Sequence, residues 1–543
     1  MTKTTESGSI GRASIFLASG TMVSRILGFV KAMLLAATIG LVSSQSADAF
    51  GVANQLPNTL YVIIAGGVLS AILVPSIVRS IVHADGGRAY VNKLLTITLV
   101  VLFAATALAV VLAPFLVHLY SVRLDPDARA LAITFAYWCL PQIFFYGLYT
   151  VLGEILNAHK LFGPFTWAPV VNNVVAMIGL VLFIVFFGAD PNGERLVTEW
   201  TPDMITLLAG TATLGVATQA LVLFFFWKRI GLSYRPDFGW RGIGLRATGK
   251  LAGWSFAMLA LTTVAGLVQS NVALIASGNG PSTATLQNAW LIFMLPHSVI
   301  TLSVATAYFT RLAEHVRENR AEELKTDVSS AIRQITLIIV LATAGLIVLA
   351  FPFASLFTGA FADTAAMGFV LIAYLIGLVP FAVLFVFQRT FYALGDTRTP
   401  FFFTLVQVSV YIVLALACSL LPLRFIGLGL AISMSISIIV QMLTAGILLR
   451  RRISGLEIPR IVRSLVIYSA AAVPAVLVGA GLVWLLGGYS GGWALASVLG
   501  ALLTMALVGL VMSAVYVGAL IAVRSPELRE AITPITRRLR RRR

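Results

Sequence analysis

The sequence is poor in charge and in cysteine, and both shortages limit what the protein can be. Only 11% of its 543 residues are charged and 59% are hydrophobic, whereas a soluble domain has about 25% charged residues. Cys139 and Cys418 both lie inside apolar runs, so neither a disulfide framework nor a metal-ligand spacing is present. A nucleotide-binding G-x-x-x-x-G-K-[ST] motif is also absent. We therefore predict no enzymatic activity, no bound metal and no cofactor.

Apolar runs recur from one end of the chain to the other. About 20 apolar residues in a helix cross a hydrocarbon core roughly 30 Å thick, and no alternating pattern indicates a transmembrane barrel. The first run lacks a cleavage signal, so we predict a retained helix rather than a signal peptide. The fold class is therefore an all-α membrane protein with about 14 transmembrane helices. The predicted spans are residues 13–42, 49–82, 94–119, 130–158, 166–188, 204–227, 249–276, 284–312, 329–350, 367–391, 400–422, 425–449, 464–486 and 493–523.

The basic residues gather on one side of this arrangement. If the N-terminus is cytoplasmic, the outer loops contain only Arg123, Arg129, Arg195 and Arg424. This asymmetry follows the positive-inside rule and predicts that both termini are cytoplasmic. The basic tail, residues 524–543, is better explained by contact with anionic lipid than with nucleic acid, because so many apolar spans precede it.

The chain also repeats itself. Leu152 to Phe165 (LGEILNAHKLFGPF) aligns without a gap to Gln388 to Phe401 (QRTFYALGDTRTPF) at an offset of 236 residues. Two shorter echoes, LAPF at 112–115 with AFPF at 350–353, and LPN at 56–58 with LPH at 295–297, follow at nearly the same offset. Each echo falls on the same helix of two six-helix blocks, which are therefore parallel repeats with a cleft between them. Such a duplication is typical of an alternating-access transporter.

The repeat predicts a domain organisation in which two lobes are followed by an additional helix pair. The predicted parts are the cytoplasmic N-terminus (1–12), an N-lobe of helices 1–6 (13–227), a basic cytoplasmic linker (228–248), a C-lobe of helices 7–12 (249–449), helices 13–14 (464–523) and the basic cytoplasmic tail (524–543).

Charged side chains within a span are costly, so each one marks a candidate site. Arg25 and Lys31 lie in the first span about 120° apart around the helix, so both can face one broad cavity. Asp48, Asn54 and Asn58 follow at the start of the second span. We predict that these residues bind substrate, because an arginine in a water-filled cleft can donate two parallel hydrogen bonds to a phosphate or a carboxylate. Alternatively, the two cations reach an interface or pair with Asp48.

A second group of residues is predicted to act as gates or hinges. Gly28, Pro57, Gly66 and Gly67 are places where the first two spans can bend, although glycine also serves close helix packing. Glu154, near the cytoplasmic end of its span, is predicted to form a solvated ion pair or a gate contact.

Several of these segments resemble one known family. TMVSRILGFVKAMLLAATIG, SADAFGVANQLPNTL and GGVLSAILVP are similar to the opening of the MurJ/MviN lipid II flippases, which belong to the multidrug/oligosaccharidyl-lipid/polysaccharide exporter (MOP) superfamily. LGEILNAHKLFGPFTWAPVVNN and FYALGDTRTP resemble the junctions after that family's fourth and tenth helices. The resemblance runs through both lobes, about residues 13–450.

The resemblance implies a function in cell-wall biogenesis and cell shape. Lipid II, the undecaprenyl-diphosphate-linked peptidoglycan precursor, would pass from the inner to the outer leaflet of a bacterial plasma membrane, and helices 13–14 would hold its long tail. Arg25 matches a required arginine, Lys31 stands where an arginine is usual, and Asp48 matches an aspartate of the second helix. Anionic lipids at the basic loops and tail, and cell-wall synthesis proteins, would be further partners.

This chain also departs from the family pattern. Tyr61 and Val62 stand where many members have an arginine pair, and the arginine expected in the second lobe falls near Leu291. No carboxylate lies in the predicted spans of the second lobe, so the family's sodium site is not traceable. The side chains predicted to supply neutral hydrogen bonds instead are Tyr61, Asn271, Gln287 and Asn288.

Three rival functions follow from these departures. The first is a flippase for another polyprenyl-linked glycan, and the second is a cation-coupled multidrug exporter, which would need a cavity carboxylate and few fixed cations. The third is a scaffold that recruits cell-wall enzymes. For a transporter, a monovalent cation gradient or the membrane potential would supply the energy.

Overall fold

The computed structural model describes residues 3–64, 88–230, 234–239, 249–453 and 455–529. Across these ranges the regular secondary structure is helical, and 13 helical stretches are long and apolar enough to cross a membrane. The predicted all-α membrane fold is therefore confirmed. The second predicted span, 49–82, extends past residue 64 into the part outside the described residues, so its full length is not among the 13.

The chain divides into two units, residues 1–278 and 279–543. The helices of the first unit are α1 (Lys3–Ile39), α2 (Gln45–Ile64), α3 (Arg88–Val111), α4 (Ala113–Tyr120), α5 (Pro126–Cys139), α6 (Gln142–Ala158), α7 (Phe162–Phe187), α8 (Pro202–Ile205), α9 (Thr211–Leu221) and α10 (Gly249–Ala273), with 3-10 turns at Val197–Glu199, Val222–Ile230 and Leu274–Ala276 and a π-turn at Thr206–Gly210.

The second unit continues the series. They are α11 (Thr283–Pro296), α12 (Leu302–Arg317), α13 (Ala321–Val348), α14 (Ala350–Ala354), α15 (Phe361–Leu375), α16 (Leu378–Ala393), α17 (Arg398–Cys418), α18 (Leu423–Arg452), α19 (Ile458–Leu485), α20 (Trp493–Ala496) and α21 (Val498–Ala522), with a π-turn at His297–Thr301.

Helix α10 groups with the first unit, although the repeat assigns its residues to the C-lobe at 249–449. Its side chains bond the backbone between α4 and α5: Asn271 donates to the Leu119 carbonyl at 2.8 Å, and the Val122 amide donates to Asn271 at 2.8 Å. Ser270 donates to the Tyr120 carbonyl at 2.9 Å. The contacts of α10 thus lie with the first unit, while the lobe boundary taken from the repeat remains a prediction.

Local geometry repeats between the two units at the echoed segments. A break at Leu112 (φ −86°, ψ 8°) separates α3 from α4, and a break at Leu349 (φ −95°, ψ 12°) separates α13 from α14. A proline follows shortly after each break, where its missing N–H costs no hydrogen bond in the first turn of a helix. Helices α6 and α16 begin at an offset of 236 residues, the same offset as the sequence repeat.

Helices α19 and α21 pack on α13 of the second unit through a shared apolar core and three polar contacts. Tyr489 donates to the Val348 carbonyl at 3.0 Å, and Tyr516 donates to the Leu337 carbonyl at 2.8 Å. Just beyond α21, Glu527 accepts a hydrogen bond from the Arg333 guanidinium at 2.5 Å. The C-terminal helix pair is thereby fixed along the length of α13.

Candidate functional site

A pocket of about 80 Å³ lies inside the first unit. Its volume holds a few water-sized molecules. Lys31 supplies the one charge among its lining residues, whereas the other lining residues are apolar, amide or hydroxyl side chains. They come from α1, α2, α6, α7, α9 and the adjacent π-turn: Lys31, Leu35, Phe50, Asn54, Gln142, Tyr146, Asn172, Ala176, Leu180, Leu208, Thr211, Ala212 and Val216.

A hydrogen-bond network orders the polar side of this pocket. Gln142, only 1% exposed, donates to Asn54 Oδ1 at 3.3 Å and to Thr213 Oγ1 at 3.0 Å. The Tyr146 hydroxyl donates to Gln142 Oε1 at 3.3 Å. Within the described residues, no carboxylate lies within salt-bridge distance of Lys31 (4.0 Å). The other described residues that line the pocket around the ammonium are neutral.

Polar side chains continue from the pocket along α6. Gln142, Tyr146, Thr150 and Glu154 follow at intervals of four residues, so successive members are neighbours and the row turns by about 120° around the helix from first to last. The hydroxyls of Tyr61 and Thr150 are 2.5 Å apart, and the Tyr61 and Tyr146 rings are 5.8 Å apart between centroids. We call these four residues of α6, together with Tyr61, the polar row.

Another side of α6 is apolar and buried. Leu148, Val151, Leu152, Ile155 and Leu156 pack into the core of the first unit, together with residues of α3, α7 and α9. The polar row thus lies beside an apolar, buried side of α6, and it continues the polar lining of the pocket.

The backbone beside the pocket is irregular. A π-turn at Thr206–Gly210 precedes α9, and single π-turns inside helices are frequent at functional sites. A Cβ added at Gly179 would collide with the Thr211 side chain, so glycine at this position lets α7 and α9 come close beside the pocket.

The structure separates two residues that were predicted to share a cavity. Lys31 lines the pocket, but Arg25 does not. Arg25 is half-buried on the flank of an exposed stripe formed by Met22, Ile26 and Val30. It forms no salt bridge with Asp48, which is 1% exposed in the first turn of α2.

The other predicted site residues fall in different surroundings. Asn54 lines the pocket and Tyr61 joins the polar row, whereas Asn58 is exposed. Asn271 and Asn288, which were predicted to supply hydrogen bonds from the second lobe, donate to backbone carbonyls instead. The contacts of Asn271 are given above, and Asn288 donates to the Ala284 carbonyl at 2.9 Å.

The structure describes two of the four residues that were predicted to act as hinges. Pro57 is buried within α2, which continues past it to Ile64. A Cβ at Gly28 would meet only the Asn173 amide, at 3.8 Å, so close packing does not require glycine there. Gly66 and Gly67 lie outside the described residues. Glu154 is half-buried and forms no ion pair with another described residue, so its predicted ion pair or gate contact stays a prediction.

One carboxylate inside a helix of the second unit escaped the sequence prediction. Helix α13 begins at Ala321, eight residues before the predicted span, and so includes Asp327, which is 7% exposed. Asp327 accepts hydrogen bonds from Arg311 at 2.8 Å and from His315 at 3.0 Å. Both of its oxygens are engaged, which indicates a structural cluster.

The pocket residues Gln142, Tyr146, Asn172 and Thr211 were also missed by sequence reasoning. Their spans are strongly apolar on average, so each polar residue looks isolated in the sequence. The four-residue spacing from Gln142 to Glu154 was the available signal, because residues four apart are neighbours on a helix.

A model of the lipid II flippase MurJ family matches residues 35–504. The chain belongs to this family. A probable lipid II flippase MurJ of Rhizobium meliloti (strain 1021) is 27% identical over 478 residues, covering 86% of this chain and 85% of the relative. The corresponding protein of Rhizobium tropici is 26% identical over 417 residues, covering 74% of each chain. Since flippases are transporters, membership of the MurJ family agrees with the prediction that the chain is not an enzyme.

Solved structures show the same fold. A lipid II flippase MurJ in an inward closed conformation superimposes with a TM-score of 0.69 at 21% identity, covering 93% of this chain and all of the other. An inward-facing multidrug resistance MATE family transporter of the MOP superfamily gives a TM-score of 0.63 at 18% identity, covering 81% of this chain and 98% of the other. The chain is thus a multi-pass membrane protein with the architecture of that superfamily.

Proposed function

We propose that this protein moves lipid II from the inner to the outer leaflet of the bacterial plasma membrane by alternating access. The match of the MurJ family model over residues 35–504 carries the proposal. The same match favours lipid II over another polyprenyl-linked glycan or a drug, since the likeness to a MATE transporter is one of fold alone.

Arg25 is the principal contact for the diphosphate in this proposal. It is half-buried in α1 and forms no salt bridge among the described residues, so its guanidinium is available to a ligand. A planar guanidinium binds phosphate oxygens in pairs, which a point charge does not. Lys31 and Asn54 add positive charge and hydrogen-bonding capacity deeper in the first unit.

The placement in the membrane completes the proposal. Both termini are cytoplasmic, which follows from the distribution of basic residues. The basic linker and tail contact anionic lipid or cell-wall synthesis proteins at that face, and the pair α19 and α21 holds the lipid tail. A monovalent cation gradient or the membrane potential drives transport.

Reconstitution with fluorescent lipid II tests the function directly. Wild-type protein in liposomes should move lipid II across the bilayer, as measured by its accessibility to an impermeant quencher. Arg25→Ala should lower the initial rate about tenfold or more, because a hydrogen bond to a charged group contributes about 1.5–3 kcal/mol. The initial rate of Arg25→Lys should lie between those of wild type and Arg25→Ala, since lysine keeps the positive charge but cannot form paired hydrogen bonds to phosphate.

Arg424→Ala is the matched control, because Arg424 is exposed at the start of α18. It should translocate at the wild-type rate. Wild-type liposomes that leave lipid II in one leaflet would refute the flippase function. A wild-type rate in Arg25→Ala would refute only the role of Arg25.

A further inference from the structure

The polar row has an apolar counterpart in the second unit. At the offset of 236 residues that aligns α6 with α16, Gln142, Tyr146, Thr150 and Glu154 correspond to the buried Leu378, Ala382, Val386 and Thr390. The repeat therefore folds with apolar residues at the first three positions. The bonds from Gln142 to Asn54 and Thr213 join α6 to α2 and α9, but the repeat does not explain why polar residues continue along α6 to Glu154.

The row leads from a lysine to a carboxylate. Lys31 lines the pocket beside Gln142 and Tyr146, and Glu154 stands one turn before the end of α6 at Ala158. The distance from residue 142 to residue 154 along a helix is about 18 Å, more than half of the roughly 30 Å hydrocarbon core. Between these ends, the hydroxyls of Tyr146, Thr150 and Tyr61 can each donate and accept a proton.

The two ends differ from a structural ion pair. Among the residues that the structure describes, no carboxylate pairs with Lys31 and no cation pairs with Glu154. Among the residues lining the pocket around Lys31, Tyr146 of α6 is the one other titratable group, and α2, α7 and α9 contribute neutral groups. Both ends are therefore able to change protonation without breaking a salt bridge.

The titratable groups that the described part of the chain places on α6 and on the elements packed against it form no salt bridge with Glu154. Tyr61 comes from α2, and His159 and Lys160 follow α6. The neighbouring α3 and the 3-10 turn Val222–Ile230 contribute Lys93 and Arg229, neither of which reaches Glu154 in a salt bridge.

We propose that the polar row conducts protons between Lys31 and Glu154, so that the first unit binds and releases a proton during lipid transport. In one direction the proton leaves Lys31 Nζ. The electron pair of the broken N–H bond stays on the nitrogen, and the side chain becomes a neutral amine. It passes through the row's hydroxyls and intervening water and binds a carboxylate oxygen of Glu154. In the other direction the same bonds form and break in reverse. Lysine suits this role because, unlike arginine, it can give up its proton inside a protein.

This inference rests on the proposed function only for its coupling to lipid movement. Proton exchange itself can be measured on purified protein without lipid II. A pH jump across the neutral to alkaline range, followed with a pH dye in weakly buffered detergent, counts the protons released per protein. Wild type should release one more proton than Lys31→Arg, which keeps the positive charge and holds its proton. Equal release by the two proteins would overturn the proposal.

Coupling is then tested in liposomes under a clamped membrane potential. An imposed pH gradient should change the wild-type rate of lipid II movement. That response should fall about tenfold in Lys31→Arg and in the double variant Tyr61→Phe/Thr150→Val, because relays of this kind contribute at least this much. Tyr149→Phe is the matched control, since it removes a hydroxyl of α6 that bonds the Phe165 carbonyl outside the row.

The outcomes separate the two proposals. A wild-type protein that moves lipid II at a rate indifferent to the pH gradient refutes proton coupling and leaves the flippase function standing. A wild-type protein that moves no lipid II refutes the flippase function, while the proton count still decides the relay. A response that persists in the double variant at the level of Tyr149→Phe refutes the role of the row.

Discussion

Lys31 in the first unit and Arg333 in the second are both cations within candidate spans, but their surroundings differ. Arg333 is 6% exposed and donates to Glu527, which is 5% exposed and also accepts from Ser525 at 3.0 Å. Lys31 borders a pocket and faces neutral amides and hydroxyls. Arg333 is neutralised by a carboxylate of the protein itself, whereas Lys31 is available to interact with a molecule bound in the pocket.

The difference shows how a buried charge can be assigned to structure or to function. The buried carboxylate of Asp327, in the same unit, is likewise engaged by the protein itself, since it accepts hydrogen bonds from the exposed Arg311 and the buried His315. A carboxylate partner offsets the cost of burial, so such a cation is fully explained by the fold. For a cation that lacks a partner among the described residues, the fold does not explain how the cost of burial is offset. Binding of an anionic ligand or release of the proton would offset it.

Breaking the Arg333–Glu527 pair should therefore have the largest effect. Arg333→Ala leaves Glu527 as an uncompensated buried charge, which costs about 3–5 kcal/mol of unfolding free energy. Lys31→Met should leave stability unchanged or raise it slightly, because it removes a charge that no described carboxylate neutralises. The unfolding free energy of the reconstituted protein, from a denaturant titration, measures both.

A double variant provides the control for this contrast. Arg333→Met combined with Glu527→Leu removes both charges and should recover most of the lost stability. Equal destabilisation by Arg333→Ala and Lys31→Met would contradict the distinction between the two cations.

Acid should weaken the same pair. Burial alone would raise the pKa of Glu527, but hydrogen bonds from its own backbone amide, from Arg333 and from Ser525 outweigh burial and hold the pKa below its ordinary value of 4.5. A lowered folded-state pKa stabilises the fold above pH 4.5, and the contribution is lost as pH falls through the folded-state value. Melting temperatures measured between pH 7 and pH 3 should therefore fall more in wild type than in the double variant.

Exchanging residues between the two helices should give effects of intermediate size. Gln142→Leu installs the residue that α16 carries at the equivalent position and removes the bonds to Asn54 and Thr213. Leu378→Gln places an amide at a position that is fully buried. Each should cost about 1–3 kcal/mol, the first through unpaired partners and the second through an unpaired amide.

Transport should separate these two variants. Gln142→Leu should also reduce the response of lipid II movement to a pH gradient, whereas Leu378→Gln should affect stability alone. Loss of that response in Leu378→Gln as well would show that it reports general damage rather than the row.

The turns after α6 and α16 should give the smallest effects. Gly395 has φ +71° with no other atoms near its would-be Cβ, so Gly395→Ala should cost about 1 kcal/mol through backbone strain alone. Lys160 already occupies this region at φ +61°, so Lys160→Gly should gain up to about 1 kcal/mol. Thermal unfolding measures both changes, and a shift of the same sign in both would contradict the strain argument.

Much of the architecture could be predicted from the sequence, because span length and apolarity are properties of single helices. The repeat was visible in the segment Leu152 to Phe165, because its turn contains glycine, proline and charged residues that can be aligned between the two halves. The pocket was not visible, since it requires Lys31, Asn54 and Asn172 to meet from three helices. The separation of Arg25 from Lys31 was equally hidden, because helical periodicity gives an angle but does not identify the neighbours.

The pair of Arg333 with Glu527 has a consequence for the synthesis of the chain. The two residues are separated by 194 positions, so Arg333 enters the membrane long before its counter-charge exists. At about 5–20 residues per second the delay is roughly 10–40 seconds. Helix α13 must spend that interval at the insertion machinery, at a water-filled site or beside a temporary anionic neighbour. A nascent chain arrested before Glu527 should therefore be recognised by the cell as unfinished.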